Sequence, residues 1–115
     1  MTHTGGCHCG RIAFDVEGDI EQVIECNCSI CTKRGALLWF VPREQLHLKT
    51  PESDLGTYTF NKQKILHHFC THCGCAPFAD GADKAGAKKA AVNVRCLDGV
   101  DAAVLRVVPF DGRSL

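Results

Sequence analysis

The chain has 115 residues, 45% hydrophobic and 23% charged, a composition of globular proteins rather than of disordered or fibrous ones. Its 13 Lys and Arg balance 13 Asp and Glu, so no net field draws it to phosphate backbones or anionic lipid, and nucleic acid is not expected as a partner. The longest apolar run, residues 36–41, falls far short of the roughly 20 residues of a membrane-spanning helix, so no membrane association is expected.

Residues 1–6 carry no basic region followed by an apolar stretch, which is not the pattern of a secretory signal and predicts a cytoplasmic protein. Cys7-His8-Cys9-Gly10 follows. Ile12, Phe14 and Val16 then alternate with Ala13, Asp15 and Glu17, the period of a half-buried strand. Further strands are predicted over 22–26, 37–41, 46–49, 56–60, 65–69, 90–96 and 103–108. Asp80-Gly81, Asp98-Gly99 and Asp111-Gly112 read as turns, and the Gly/Ala-rich stretch 81–89 as an exposed loop. No long stretch carries a helical stripe. A short turn or 3₁₀ segment is expected near 29–34, and Pro42 opens about one turn through Gln45. With no internal repeat or linker, the pattern predicts one all-β domain over residues 1–115, made of short antiparallel strands with one or two short helical turns.

Nine cysteines are the outlier of the composition. The number is odd, and seven fall into C-x-C and C-x-x-C groupings. Such groupings suit chelation of one ion in a reducing compartment better than a disulfide framework. In Cys70-Thr71-His72-Cys73-Gly74, two thiolates meet at a tight turn that Gly74 closes with a positive φ. Cys7 and Cys9 supply two more ligands for a tetrahedral structural zinc. Such an ion clips two distant segments together and contributes folding free energy directly.

Cys26, Cys28 and Cys31 lie within six residues with no fourth cysteine at comparable range. Three protein ligands and an open position make a reactive zinc site. Three thiolates leave the zinc unit at −1, a weak Lewis acid, and suit it to hold an incoming thiol as a nucleophilic thiolate. The alternative is a second closed structural site with Cys75, Cys96 or a histidine as fourth ligand, Cys75 foremost. Both cysteines also read as small buried packing residues. His8 and His72, inside cysteine pairs, read as pointing away from an ion, and His67 and His68 as facing opposite sides of a strand.

Four segments in this order resemble the glutathione-dependent formaldehyde-activating enzyme family, also called the Gfa or centromere protein V family. They are Gly5-Gly6-Cys7-His8-Cys9-Gly10 with Ile12-Ala13-Phe14, Cys26-Asn27-Cys28-Ser29-Ile30-Cys31, Phe69-Cys70-Thr71-His72-Cys73-Gly74, and Val92-Asn93-Val94-Arg95-Cys96-Leu97-Asp98. The resemblance implies a β-tent fold and two zinc ions. One is structural, at Cys7, Cys9, Cys70 and Cys73, and one catalytic, at Cys26, Cys28 and Cys31. It also implies the joining of glutathione and formaldehyde into S-hydroxymethylglutathione, a carbon–sulfur lyase reaction. Glutathione carries two carboxylates, for which Lys33, Arg34 and Arg95 are the candidate partners, with solvated surface roles as their alternative. A zinc- or thiol-binding module without catalysis is the rival reading.

Overall fold

The computed structural model describes residues 1–60 and 64–114, and within them the chain is built mainly of strands in two sheets. Strands β1 (Thr2–Gly6) and β2 (Ala13–Glu17) pair antiparallel from Thr2 opposite Glu17 to Gly6 opposite Ala13, and β5 (Leu46–Leu48) adds to the far side of β2. The second sheet has seven strands in the order β10-β3-β4-β9-β8-β7-β6. These are β3 (Val23–Cys26), β4 (Leu38–Pro42), β6 (Leu55–Tyr58), β7 (Leu66–Cys70), β8 (Phe78–Ala82), β9 (Lys88–Asn93) and β10 (Val107–Phe110).

Period-2 alternation produces the core. Phe14 and Val16 of β2, Trp39 and Val41 of β4, and Ala90 and Val92 of β9 are buried, while their neighbours in sequence face outward. The two sheets meet where the Phe14 ring packs edge-on against Phe78, with centroids 5.7 Å apart.

Several boundaries differ from the sequence reading. Segment 1–6 forms a strand although it lacks an apolar stripe, because Gly5 and Gly6 allow close approach of backbone. A Cβ on Gly5 would stand 2.6 Å from the Cys96 carbonyl oxygen, and one on Gly6 would collide with that of Ile12. Asp80-Gly81 is not a turn: both residues lie inside β8, paired with Ala90 and Lys89. The reversal comes later, where the Asp83 carboxylate accepts the N–H groups of Ala85 and Ala87 and Gly86 takes φ +88°. The loop expected over 81–89 therefore shrinks to a tight turn between two strands. The strand expected over 90–96 starts earlier and stops at Asn93, whose side chain accepts the Arg95 N–H and opens a 3₁₀ turn, Val94–Cys96. Segment 103–108 divides into a 3₁₀ turn, Ala102–Val104, and the start of β10.

β10 runs parallel to β3, against the antiparallel expectation. Pro109 is tolerated because β10 is the outermost strand. The helical segment at 29–34 is a short α-helix, α1 (Ser29–Arg34), ended by Gly35 in the left-handed conformation with Lys33 and Arg34 in its last turn. Among the described residues no helix is long and apolar enough to cross a membrane.

Candidate functional site

Two knuckles build the first cysteine group. Cys7 leaves β1 and accepts the Ile12 N–H on its sulfur at 3.2 Å, and Gly10, at φ +89°, turns the chain into β2. Cys70 ends β7 and accepts the N–H groups of His72 and Cys73 at 3.4 Å each, and Gly74, at φ +84°, closes the turn. The sulfurs of Cys7, Cys9, Cys70 and Cys73 all lie within 4.8 Å of one another, with Cys7 to Cys9 at 3.7 Å and Cys9 to Cys70 at 3.5 Å. A tetrahedral ion with metal–sulfur bonds of about 2.3 Å requires sulfurs roughly 3.75 Å apart, so this set fits one.

Electrostatics agree. The backbone N–H groups of Cys75 and Cys9 bring the Cys73 thiol down to about 5. Cys9 is pushed up to about 11, because burial and the crowding of Cys70, Cys7 and Cys73 outweigh the Arg11 N–H that lowers it. Four sulfurs within 4.8 Å of one another repel when ionised, and a dication relieves that repulsion. His8 and His72 are exposed and stand in neither cysteine group.

The second group forms where β3 passes into α1. Cys26 is the last residue of β3, Cys28 caps the helix, and Cys31 lies in its first turn. Their sulfurs are within 4.8 Å of one another, and the Cys28 N–H donates to the Cys26 sulfur at 3.4 Å. Burial opposes ionisation of Cys28, but N–H groups of Cys31 and Ile30 at the helix start, together with the neighbouring thiols, hold it below its ordinary value. Burial and the charges of Cys28 and Cys26 push Cys31 up. Soft sulfur donors at this spacing also fit a metal ion, with three ligands rather than four. Among the described residues neither Cys75 nor Cys96 joins the group; Cys96 instead lies beside the Asn93 amide at 3.7 Å.

The segment after β10 supports this group, a contribution absent from the sequence reading. Phe110 lies opposite Cys26, the Asn27 N–H donates to its carbonyl at 3.1 Å, and the Asn27 amide donates to Asp111 at 2.9 Å. The Arg113 N–H closes the circuit on the Asn27 side-chain oxygen. Gly112 passes so close that an added Cβ would stand 2.5 Å from the Cys26 sulfur.

The three cysteines open onto a groove of about 670 Å³ across the outer face of the large sheet. Of the three basic residues singled out from the sequence, Arg34 lines this groove. Lys33, exposed on the same helical turn, and Arg95, exposed in the 3₁₀ turn after β9, do not. Lys89 does, and was hidden within a stretch read as loop. His67 faces the groove, stacked on Phe60 at 5.3 Å, and burial, the Arg34 charge and His68 together hold it below its ordinary value. His68 points to the opposite side and is buried. Its Nε2–H donates to Asp80 at 2.8 Å, and its Nδ1 lies within hydrogen-bond distance of the Thr57 hydroxyl at 3.0 Å.

A family model described as glutathione-dependent formaldehyde-activating enzyme matches residues 2–107. The crystal structure of a Rhodobacter sphaeroides protein superposes with a TM-score of 0.80 at 30% identity, covering 95% of this chain and 98% of that one. With both cysteine groups in place and the match running over nearly the whole length, the chain belongs to the glutathione-dependent formaldehyde-activating enzyme family.

Proposed function

We propose that the protein is a zinc-dependent carbon–sulfur lyase that joins glutathione or another small thiol to formaldehyde or a related electrophile. The observation that carries this reading is the contrast between the two groups: four sulfurs close one, whereas three leave the other facing a groove. When bound by Cys26, Cys28 and Cys31, zinc supplies a position at which an incoming thiol ionises near neutral pH and stays nucleophilic. The zinc held by Cys7, Cys9, Cys70 and Cys73 is structural.

The residues around the triad have separable tasks. N–H groups at the start of α1 stabilise negative charge on Cys28, and the Cys28 N–H does the same for Cys26. Asn27, Asp111 and Arg113 hold the connection between β3 and α1 in place, which fixes the spacing of the sulfurs. Arg34, three residues after Cys31 in α1, offers a cationic partner to a thiol carboxylate at the triad end of the groove. His67, kept neutral at pH 7, can take up the thiol proton at a ring nitrogen.

Native mass spectrometry on protein purified without chelators, with and without glutathione, tests the reading. Two zincs plus one retained glutathione, and loss of glutathione retention and adduct formation in Cys28→Ser, are expected. Unchanged open-site zinc content and activity in Cys28→Ser would overturn the mechanism. Two zincs with no thiol uptake would favour a second closed site and a binding module.

A further inference from the structure

The register of the large sheet lays one row of side chains across the groove. Tyr58 lies opposite His67, His67 opposite Ala79, Ala79 opposite Ala91, and Ala91 opposite Phe40. Directly paired residues share a face, so five strands present an aromatic at each end of the row and two alanines between them. One wall is heightened by Phe60, which stacks on both Tyr58 and His67, and Phe40 on the other side is 54% exposed. The result is a trough with a small-residue floor and aromatic sides.

The trough also has a direction. Asn93 of β9 lies opposite Leu38, and Leu38 lies opposite Ile24, two residues before Cys26, so this end of the strand leads to the triad. Lys89 stands four residues away along β9, about 13 Å at the rise of a strand. Ala91 lies between them. Asp80 is turned to the opposite face of the sheet, paired with buried Ala90 and held by Arg43 at 2.7 Å and by His68, and the Asp83 carboxylate is taken up by the backbone of its turn. The floor of the trough over Ala79 and Ala91 is therefore apolar, with His67 on one wall and Lys89 and the triad towards its two ends.

A cavity of about 670 Å³ lies in the middle of the size range that encloses whole small-molecule ligands, roughly 300–1,000 Å³. A one-carbon aldehyde would leave nearly all of this apolar wall in contact with water, which stabilises nothing. We propose that the electrophile of this site is an aldehyde bearing an aromatic or branched apolar body, which lies over Ala79 and Ala91 while its carbonyl carbon faces the cysteine triad. This rests on the thiol-addition reading. The step balances without an oxidant or reductant. The thiol S–H adds across C=O, a carbon–sulfur bond replaces the carbonyl π bond, and the thiol proton ends on the oxygen.

The test uses zinc-loaded protein with glutathione and compares phenylacetaldehyde with formaldehyde, each as kcat/KM relative to its own rate in a zinc-free control. Acceleration is expected to be at least about tenfold greater for phenylacetaldehyde, the discrimination that a few methylene-sized contacts provide. In parallel, binding of phenylacetamide and acetamide, which cannot form the adduct, is followed by NMR titration. Phenylacetamide should bind at least about tenfold more tightly, and Ala91→Leu or Ala79→Leu, which fill the trough, should remove that advantage. Circular dichroism checks that each variant is folded, and either folded variant suffices. Equal or greater acceleration of formaldehyde, equal binding of the two amides, or phenylacetamide binding intact in a folded Leu variant would overturn the inference while leaving the lyase reading in place. If neither aldehyde outruns the zinc-free control, both fall together.

Discussion

Gly112 controls how closely the segment after β10 approaches the cysteine triad. An alanine Cβ there would meet the Cys26 sulfur at 2.5 Å and the Cys28 Cβ at 3.3 Å. Gly112→Ala is expected to weaken metal retention at the triad about 10–100-fold, the effect of disturbing groups that orient ligands. Native mass spectrometry should show the metal count falling by one while the other cysteine group stays loaded. His67 carries the pH dependence. Its folded-state value lies below the ordinary 6.5, so as pH falls below 6.5 the unfolded chain takes up this proton more readily than the native one. The ring's contribution to stability is thus full above that window and declines on acidification through it. His67→Gln should therefore reduce the drop in Tm between about pH 7.5 and pH 5.5.

The cysteines were legible in the sequence because ligand spacing is local, and the opposite orientation of His67 and His68 followed from strand period alone. Gly112 was not legible. Its importance comes from lying beside Cys26, 86 residues away in the chain as the Arg113-to-Asn27 bond is, and only strand pairing brings the two segments together.

Among the elements, β8 shows how tertiary demand overrides a local signal. Asp80-Gly81 has the composition of a turn, yet the Asp80 carboxylate is drawn into the sheet by Arg43 at 2.7 Å and His68 at 2.8 Å. Arg43 also donates to the Leu46 carbonyl and lies over the Phe78 ring. Burial opposes the charge on Asp80, but the His68 hydrogen bond and the Arg43 charge keep its carboxyl below the ordinary value. The network ties β6, β7 and β8 to the 3₁₀ turn Arg43–Gln45. Asp80→Asn keeps the shape and removes the charge, and chemical denaturation is expected to record a loss of about 2 kcal/mol. Strands with clean alternation, such as β2 and β4, were read from sequence nearly to the residue. β1 and β8 were missed because glycine and polar residues are required there for close packing and for this charge network.

At the scale of the molecule, the four-cysteine group joins the two sheets, taking Cys7 and Cys9 from the connection after β1 and Cys70 and Cys73 from the end of β7. Cys9 and Cys70 are 61 residues apart. Closing a loop of that length restricts the unfolded chain by about 4 kcal/mol in the chain-entropy account, against about 2 kcal/mol for the short triad segment. Thermal melts should therefore fall much further for Cys70→Ser than for Cys28→Ser, and a strong chelator should lower the wild-type Tm toward that of Cys70→Ser. Comparable melting of the two variants would contradict the division of labour between the groups.

The same difference in span governs when each group can take up a metal. Cys26, Cys28 and Cys31 lie so near one another in the chain that an unfolded polypeptide can gather them around an ion at little entropic cost, whereas the other four converge only once β1 and β7 are in place. An ligand that binds folded and unfolded chains alike contributes little to the balance between them. Loading of the triad can thus precede folding, and its ion should be retained through denaturation after the other has been released.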